Sequence, residues 1–149
     1  MGCLALLALA HGCGSNDVPD EPVAKVRHFL ELMERSAVDE GSLQDAYALL
    51  DRGAQQGLQA RADRARSLSG RAFEPWQMLA QGRFRLRFAP APGGLHARMT
   101  GDRAVVVATG SAPGERAEIP LVRQAGAWRI ELVLHALKAE VEPARQDAR

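Results

Sequence analysis

Side chains that could transfer protons or bind a metal are few in this sequence. Four histidines, one tyrosine and two cysteines occur among 149 residues. A general acid or base needs a titratable group held in a cleft, close to its substrate. Strand periodicity places His96, Glu131 and His135 opposite the apolar side, while His28 and Tyr47 belong to helical segments that could reach a pocket mouth. The sequence therefore predicts no catalytic residue.

The two cysteines, Cys3 and Cys13, have no partners at the spacing of a zinc site. We therefore expect neither a metal nor another cofactor. The position of the cysteines matters more than their number.

Residues 4–10 form an apolar run, which is too short to cross a bilayer as a helix of ~20 residues. The run fits the ~7–15-residue apolar region of a secretory signal.

Small residues follow this run, in the order Gly12-Cys13-Gly14. The arrangement resembles the bacterial lipobox, in which a small residue precedes a cysteine that is lipidated and becomes the first residue of the mature protein. The resemblance implies a lipid anchor on Cys13 and a membrane-anchored lipoprotein of the bacterial cell envelope. Two alternatives remain: an ordinary signal, giving a secreted or periplasmic soluble protein, and a buried N-terminal segment with inert cysteines. We divide the chain into a signal peptide (1–12), a polar tether (13–21), a folded domain (22–135) and a flexible tail (136–149).

Arginine alternates with apolar residues over 83–88. In a strand, Arg83, Arg85 and Arg87 would share one face, ~7 Å apart at ~3.3 Å rise per residue. Water and salt could balance these like charges, or acids such as Glu118 and Glu131 could pair with them across strands. The third reading is a docking face for an anionic partner, either lipid headgroups or the acidic patch of a protein.

The overall charge favours no nucleic-acid partner, because the formal net charge is only +1. The distribution is less even. Residues 17–51 hold nine acids and three bases, whereas residues 61–103 hold nine bases and three acids. Two complementary parts of one domain, facing each other or solvated, explain this most simply.

Helical patterning fills the first half of the domain. Pro22 suits a first helical turn, and an apolar stripe follows it. Ser42 and Asp45 resemble a capping box for a second helix that Gly53 would end. The sequence predicts a third helix over 55–68, stopped by Gly70, and a short helical turn from Pro75. The stripes comprise Val23, Val26, Phe29, Leu30, Leu32 and Met33, then Leu43, Ala46, Tyr47 and Leu50, then Leu58, Ala62 and Ala65.

From residue 83 the period changes to two, which indicates strands. Predicted strands cover 83–88, 95–99, 103–109, 116–123 and 127–134, with a hairpin at Thr100-Gly101-Asp102 and another at Gln124-Ala125-Gly126. Pro120 implies an edge strand or a bulge. The inward positions are Phe84, Leu86, Phe88, Leu95, Ala97, Met99, Trp128, Ile130, Leu132 and Leu134.

Helices followed by a meander predict an α+β domain, with N-terminal helices packed on a curved antiparallel sheet. The element order, the closing segment 119–130 and the helical segment 45–50 resemble the nuclear transport factor 2-like superfamily over about residues 23–134. The resemblance implies a cone-shaped sheet with a pocket, in which some members are isomerases or dehydratases that use Asp, His or Tyr.

None of the inward positions is ionisable, so the sequence favours a non-enzymatic domain for binding or protein interaction. A homodimer or an envelope protein is the partner that this reading allows. The alternative is a pocket for an apolar small molecule, with isomerase-like or dehydratase-like chemistry in the cone or without it. Such chemistry would require a bulge at Pro120 that exchanges the faces of its strand.

Overall fold

Helices occupy the first half of the described chain and strands the second. A computed structural model describes residues 21–81 and 84–134. Its helices are α1 (Pro22–Arg35), α2 (Gly41–Ala48), α3 (Arg52–Ser69) and α4 (Met78–Gln81), with a 3₁₀ turn over Pro75–Gln77. Its strands are β1 (Leu95–Thr100), β2 (Arg103–Thr109), β3 (Arg116–Gln124) and β4 (Ala127–Ile130). The fold is therefore α+β, as predicted, with an open antiparallel sheet.

The four strands lie in chain order, and each pairs with the next in antiparallel register. Two-residue turns join β1 to β2 and β3 to β4. Gly101 (φ 57°) lies in the first turn, and Ala125 (φ 50°) with Gly126 (φ 81°) forms the second. Positive φ at the first central residue of the β1–β2 turn, and at both central residues of the β3–β4 turn, fits the two turn types that match the twist of the strands they join. The two predicted hairpins are confirmed.

The helices cover one face of this sheet, which we call the inner face. Inner-face residues alternate along each strand with residues of the opposite face. The best-buried residues of the inner face are Ala104, Val106, Ala108, Leu121, Trp128 and Ile130. The helices contribute the rest of the core, with Val26, Phe29, Leu32, Met33, Leu43, Ala46, Leu50, Ala54, Leu58, Ala62, Met78 and Leu79. The inward assignment of Trp128 and Ile130 is confirmed, as are the stripes of the second and third helices.

The start of α2 and α3 differs from the sequence-based prediction. Ser42 does not cap a helix, because its hydroxyl donates to the carboxylate of Asp39, which also accepts the N–H of Gly41. Gly53 does not end a helix. It lies in the first turn of α3, where Asp51 is the N-cap. The end of α3 is as predicted, since Gly70 adopts a left-handed conformation with φ 70°.

The predicted strand over 83–88 is wrong for its described part, residues 84–88. Residues 84–90 are irregular and bend at several positions, although burial alternates there: Phe84, Leu86 and Phe88 are half-buried, and Arg85 and Arg87 are exposed. Alternation shows which side of an extended segment contacts the core. A strand also needs ladder hydrogen bonds to a neighbouring strand, and residues 84–90 belong to no ladder of the described sheet.

Two details of the sheet also depart from expectation. β3 is an interior strand, and its register with β2 runs unbroken through Pro120, paired with Val105. The missing N–H of Pro120 lies on the β4 side, opposite Glu131, where β4 has already ended. The faces of β3 are thus not exchanged by a bulge. β4 stops at Ile130 rather than running to Leu134, so Leu132 and Leu134 are half-buried outside a strand.

Candidate functional site

The residues that the sequence selected do not form one site. Cys13, Arg83 and His135 lie outside the described residues. Arg85 is exposed, and its guanidinium donates to the Ser36 hydroxyl at 2.8 Å. Ser36 follows the last turn of α1, where a cation is favourable because helix carbonyls carry partial negative charge. Arg85 and Arg87 thus border the end of α1 instead of forming a stripe on a strand.

The titratable candidates are dispersed over both layers. His96 is exposed on the outer face, as predicted, and His28 is half-buried on α1. Burial raises the pKa of the Tyr47 hydroxyl above its ordinary value. No three His, Cys, Asp or Glu side chains lie close enough to hold a metal ion within residues 21–81 and 84–134.

Glu118 and Glu131 do pair with arginines, but with different ones from those proposed. Glu118 accepts hydrogen bonds from Arg98 and Arg116, each at 2.9 Å. The pKa of Glu118 lies below its ordinary value, chiefly because Arg116 donates a hydrogen bond to the carboxylate. The positive charges of Arg98 and Arg116 lower it further. Glu131 pairs with Arg103 at 3.2 Å. Because two arginines share Glu118, this part of the outer face keeps a positive surplus.

A polar cleft of about 680 Å³ lies where the helices meet β4. Its polar groups mostly serve the fold. The Gln124 side chain accepts the N–H of Arg52 at 3.1 Å, and the Gln55 amide donates to the Tyr47 carbonyl at 3.1 Å. Arg129 donates to the carbonyl of Ala48. The bonds of Gln124 and Arg129 join the sheet to the helices, and the Gln55 bond joins α3 to α2. Packing of the fold therefore explains the polar groups of this cleft.

An apolar groove of about 530 Å³ lies on the inner face beside β1. Pro22, Val23, Ala97, Met99 and Trp128 line it, and Glu21 and Arg123 supply its charges. Met99 is 64% exposed, whereas Trp128 at the groove floor is 5% exposed. The Arg123 guanidinium lies 5.2 Å from the Trp128 ring centroid. A flexible thioether at the rim and a fixed aromatic floor are common in surfaces that bind apolar groups.

The groove was missed because Ala97 and Met99 were predicted to be buried. Both point to the inner face, but both are exposed. α1 begins at Pro22, beside them, and within residues 21–81 and 84–134 no further turn of helix covers this end of the sheet. No signal in the alternating pattern distinguishes a covered inner face from an open one.

No described helix is both long and apolar enough to span a membrane. Comparison with protein-family models, with curated proteins and with solved structures found no match for this chain. Geometry and chemistry alone therefore bear on its function.

Proposed function

We propose that this chain is a non-enzymatic interaction module of a bacterial cell envelope, held at a membrane by a lipid on Cys13. The observation that carries the interaction is the apolar groove beside β1. Monomeric domains commonly expose single apolar side chains, but a rimmed apolar concavity marks a binding site more often. Met99, Ala97 and Pro22 form such a concavity around the edge of Trp128.

The position of the groove also suits an anchored protein. Glu21, on its rim, is where the proposed tether of residues 13–21 joins the fold. Nine residues span at most ~30 Å when fully extended. An anchor on Cys13 would therefore keep the groove within that distance of the lipid surface, where membrane-bound partners are concentrated.

We propose further that the open sheet belongs to a nuclear transport factor 2-like cone. The order of three helices, a short helical turn and an antiparallel meander supports this. In an experimental structure of the full chain, the sheet would then curve around the helices and close. A sheet that stays flat and four-stranded in that structure would contradict the cone.

Lipidation is tested by fractionation in a bacterial host. The full-length precursor should partition into membranes, and Cys13→Ala should move it to the soluble fraction. Cys3→Ala is the matched control and should leave the distribution unchanged. Equal membrane partitioning of the Cys13→Ala precursor would show that the anchor is not on this residue.

The interaction is tested by photocrosslinking at chosen positions in the native bacterium. A photoreactive amino acid at Met99 should yield discrete adducts with other envelope proteins. Val38 and Leu68, which are 91% and 73% exposed, are the controls, because both are more exposed than Met99 and neither lines the groove. If Met99 gives no more adducts than these two positions, the groove is not an interaction site.

A further inference from the structure

In the described sheet, β1 is an edge strand, and alternate residues of β1 direct their backbone N–H and C=O groups away from β2. The N–H of Thr109 donates to the carbonyl of Gly94 at 2.9 Å, which fixes the phase of the ladder. Hydrogen-bonded pairs alternate along an antiparallel ladder, so His96, Arg98 and Thr100 bond to β2. The N–H and C=O groups of Leu95, Ala97 and Met99 therefore face the open edge.

The opposite edge of the sheet, formed by β4, is covered by another segment of the chain. The segment between α2 and α3 lies along β4, where the N–H of Ile130 donates to Leu49 at 3.0 Å and the N–H of Asp51 donates to Ile130 at 2.9 Å. Leu50 forms a bridge with Ile130 there. Natural proteins usually block edges with a covering loop, proline or inward charges. Within the described residues, the β4 edge is covered in this way and the β1 edge is not.

The side chains beside the β1 edge differ between the two faces. On the inner face, Ala97 and Met99 border the apolar groove. On the outer face, His96 and Arg98 are exposed, and Arg98 belongs to the cluster in which two arginines share Glu118. A strand added to this edge would place alternate side chains over the groove and beside these cations.

We propose that β1 receives an extended segment of a partner protein by antiparallel strand addition, and that this segment alternates apolar with acidic residues. Its apolar side chains lie on the inner face against Met99 and Ala97. Its carboxylates lie on the outer face near Arg98 and offset the positive surplus there. The proposal rests on the interaction function proposed above and names the chemistry of the partner.

The direct test uses a fluorescent peptide of alternating Glu and Val, seven residues long, titrated into the full chain at low salt. We expect saturable binding that is at least tenfold tighter than that of a Lys/Val peptide of equal length.

In antiparallel addition, the valine amides face β1 and the glutamate amides face solvent. N-methylation of the valine amides should therefore weaken binding at least tenfold, and N-methylation of the glutamate amides should leave it nearly unchanged. Equal effects of the two methylation patterns would overturn strand addition.

Two variants of the protein complete the test. Ala97→Pro removes an N–H that points away from the β1–β2 ladder, so the fold should persist while peptide binding falls at least tenfold. The peptide methylation series remains decisive if this variant unfolds. Arg98→Gln should reduce the preference for the Glu/Val peptide over the Lys/Val peptide, whereas Arg66→Gln, at an exposed arginine of α3, should not. A preference that Arg98→Gln leaves intact would overturn the charge assignment.

The remaining outcomes separate the partner from its alternatives. If the full chain sediments as a dimer that Ala97→Pro converts to a monomer, while the peptide does not bind, the edge receives a second copy and the peptide proposal is wrong. If Met99 crosslinks to envelope proteins but the peptide does not bind, the interaction function stands and strand addition is wrong. If Met99 does not crosslink to envelope proteins and the peptide does not bind, the interaction function and strand addition are both wrong.

Discussion

Replacing Asp51 tests where the second helix ends and the third begins. One oxygen of its carboxylate accepts the N–H of Gly53 at 2.8 Å, and the other accepts the N–H of Ala54 at 3.0 Å. These are two of the four amides that a helix start leaves without partners. Losing an N-cap side chain to alanine typically costs ~1 kcal/mol and up to ~2. We expect Asp51→Ala to fall in the upper half of that range, because it loses two bonds at the start of an 18-residue helix.

Urea unfolding of the full chain, followed by circular dichroism, measures this loss. Asp51→Asn keeps a capping oxygen and should cost only a few tenths of a kcal/mol. Asp63→Ala is the matched control. Asp63 is exposed in the same helix, and this substitution removes the same charge at a position away from the start of α3. A helix continuing from α2 to Gly53 would place position 51 in a helix interior, where alanine is the better helix former and stabilises. An unchanged or increased stability of Asp51→Ala would therefore refute the assignment of the cap.

Two further substitutions test the packing of the sheet. Trp128→Ala should cost ~3–5 kcal/mol in the same assay, as truncations of buried aromatic residues do, and Trp76→Ala, at a half-buried position, should cost less. A loss below ~1 kcal/mol for Trp128→Ala would mean that the inner and outer faces of β4 are exchanged. Gly94→Ala should be strongly destabilising, because the added Cβ would meet the carbonyl oxygens of Thr109 and Ala91, which cannot move without breaking the start of the ladder. Gly41→Ala, whose Cβ meets only the Asp39 side chain, should be close to neutral, and equal melting temperatures for these two glycine variants would count against that steric reading.

Much of the local structure was predictable because it depends on near neighbours. The end of α3 needs only a residue that tolerates positive φ, and Gly70 supplies it. The central position of β2 follows from Val105, Val106 and Val107, which are apolar on both faces, as a strand with two neighbours requires. The position of Trp128 on the inner face follows from the alternation of apolar and polar residues along its strand.

The remaining features depend on residues that are distant in sequence. Phe84, Leu86 and Phe88 alternate as in a strand, but they belong to no ladder of the described sheet, and alternation alone does not decide whether an extended pattern finds a pairing strand. Met99 carries an inward pattern, but the place where α1 begins leaves it exposed. The capping of α3 was missed because Asp51 follows α2 after only two residues, so one continuous helix fitted the sequence equally well. The groove and the open edge of β1 follow from these same long-range facts.

The covered edge of β4 has a consequence for the order of folding. The β-hairpins form between residues close in sequence, but the bond from Arg129 to Ala48 joins residues 81 positions apart. Closing so long a loop costs more entropy than closing a hairpin, and contacts of this kind slow folding. During synthesis the segment between α2 and α3 cannot pair with β4 until residue 130 has left the ribosome. Among the described strands, the one made last is thus the one whose edge this earlier segment covers.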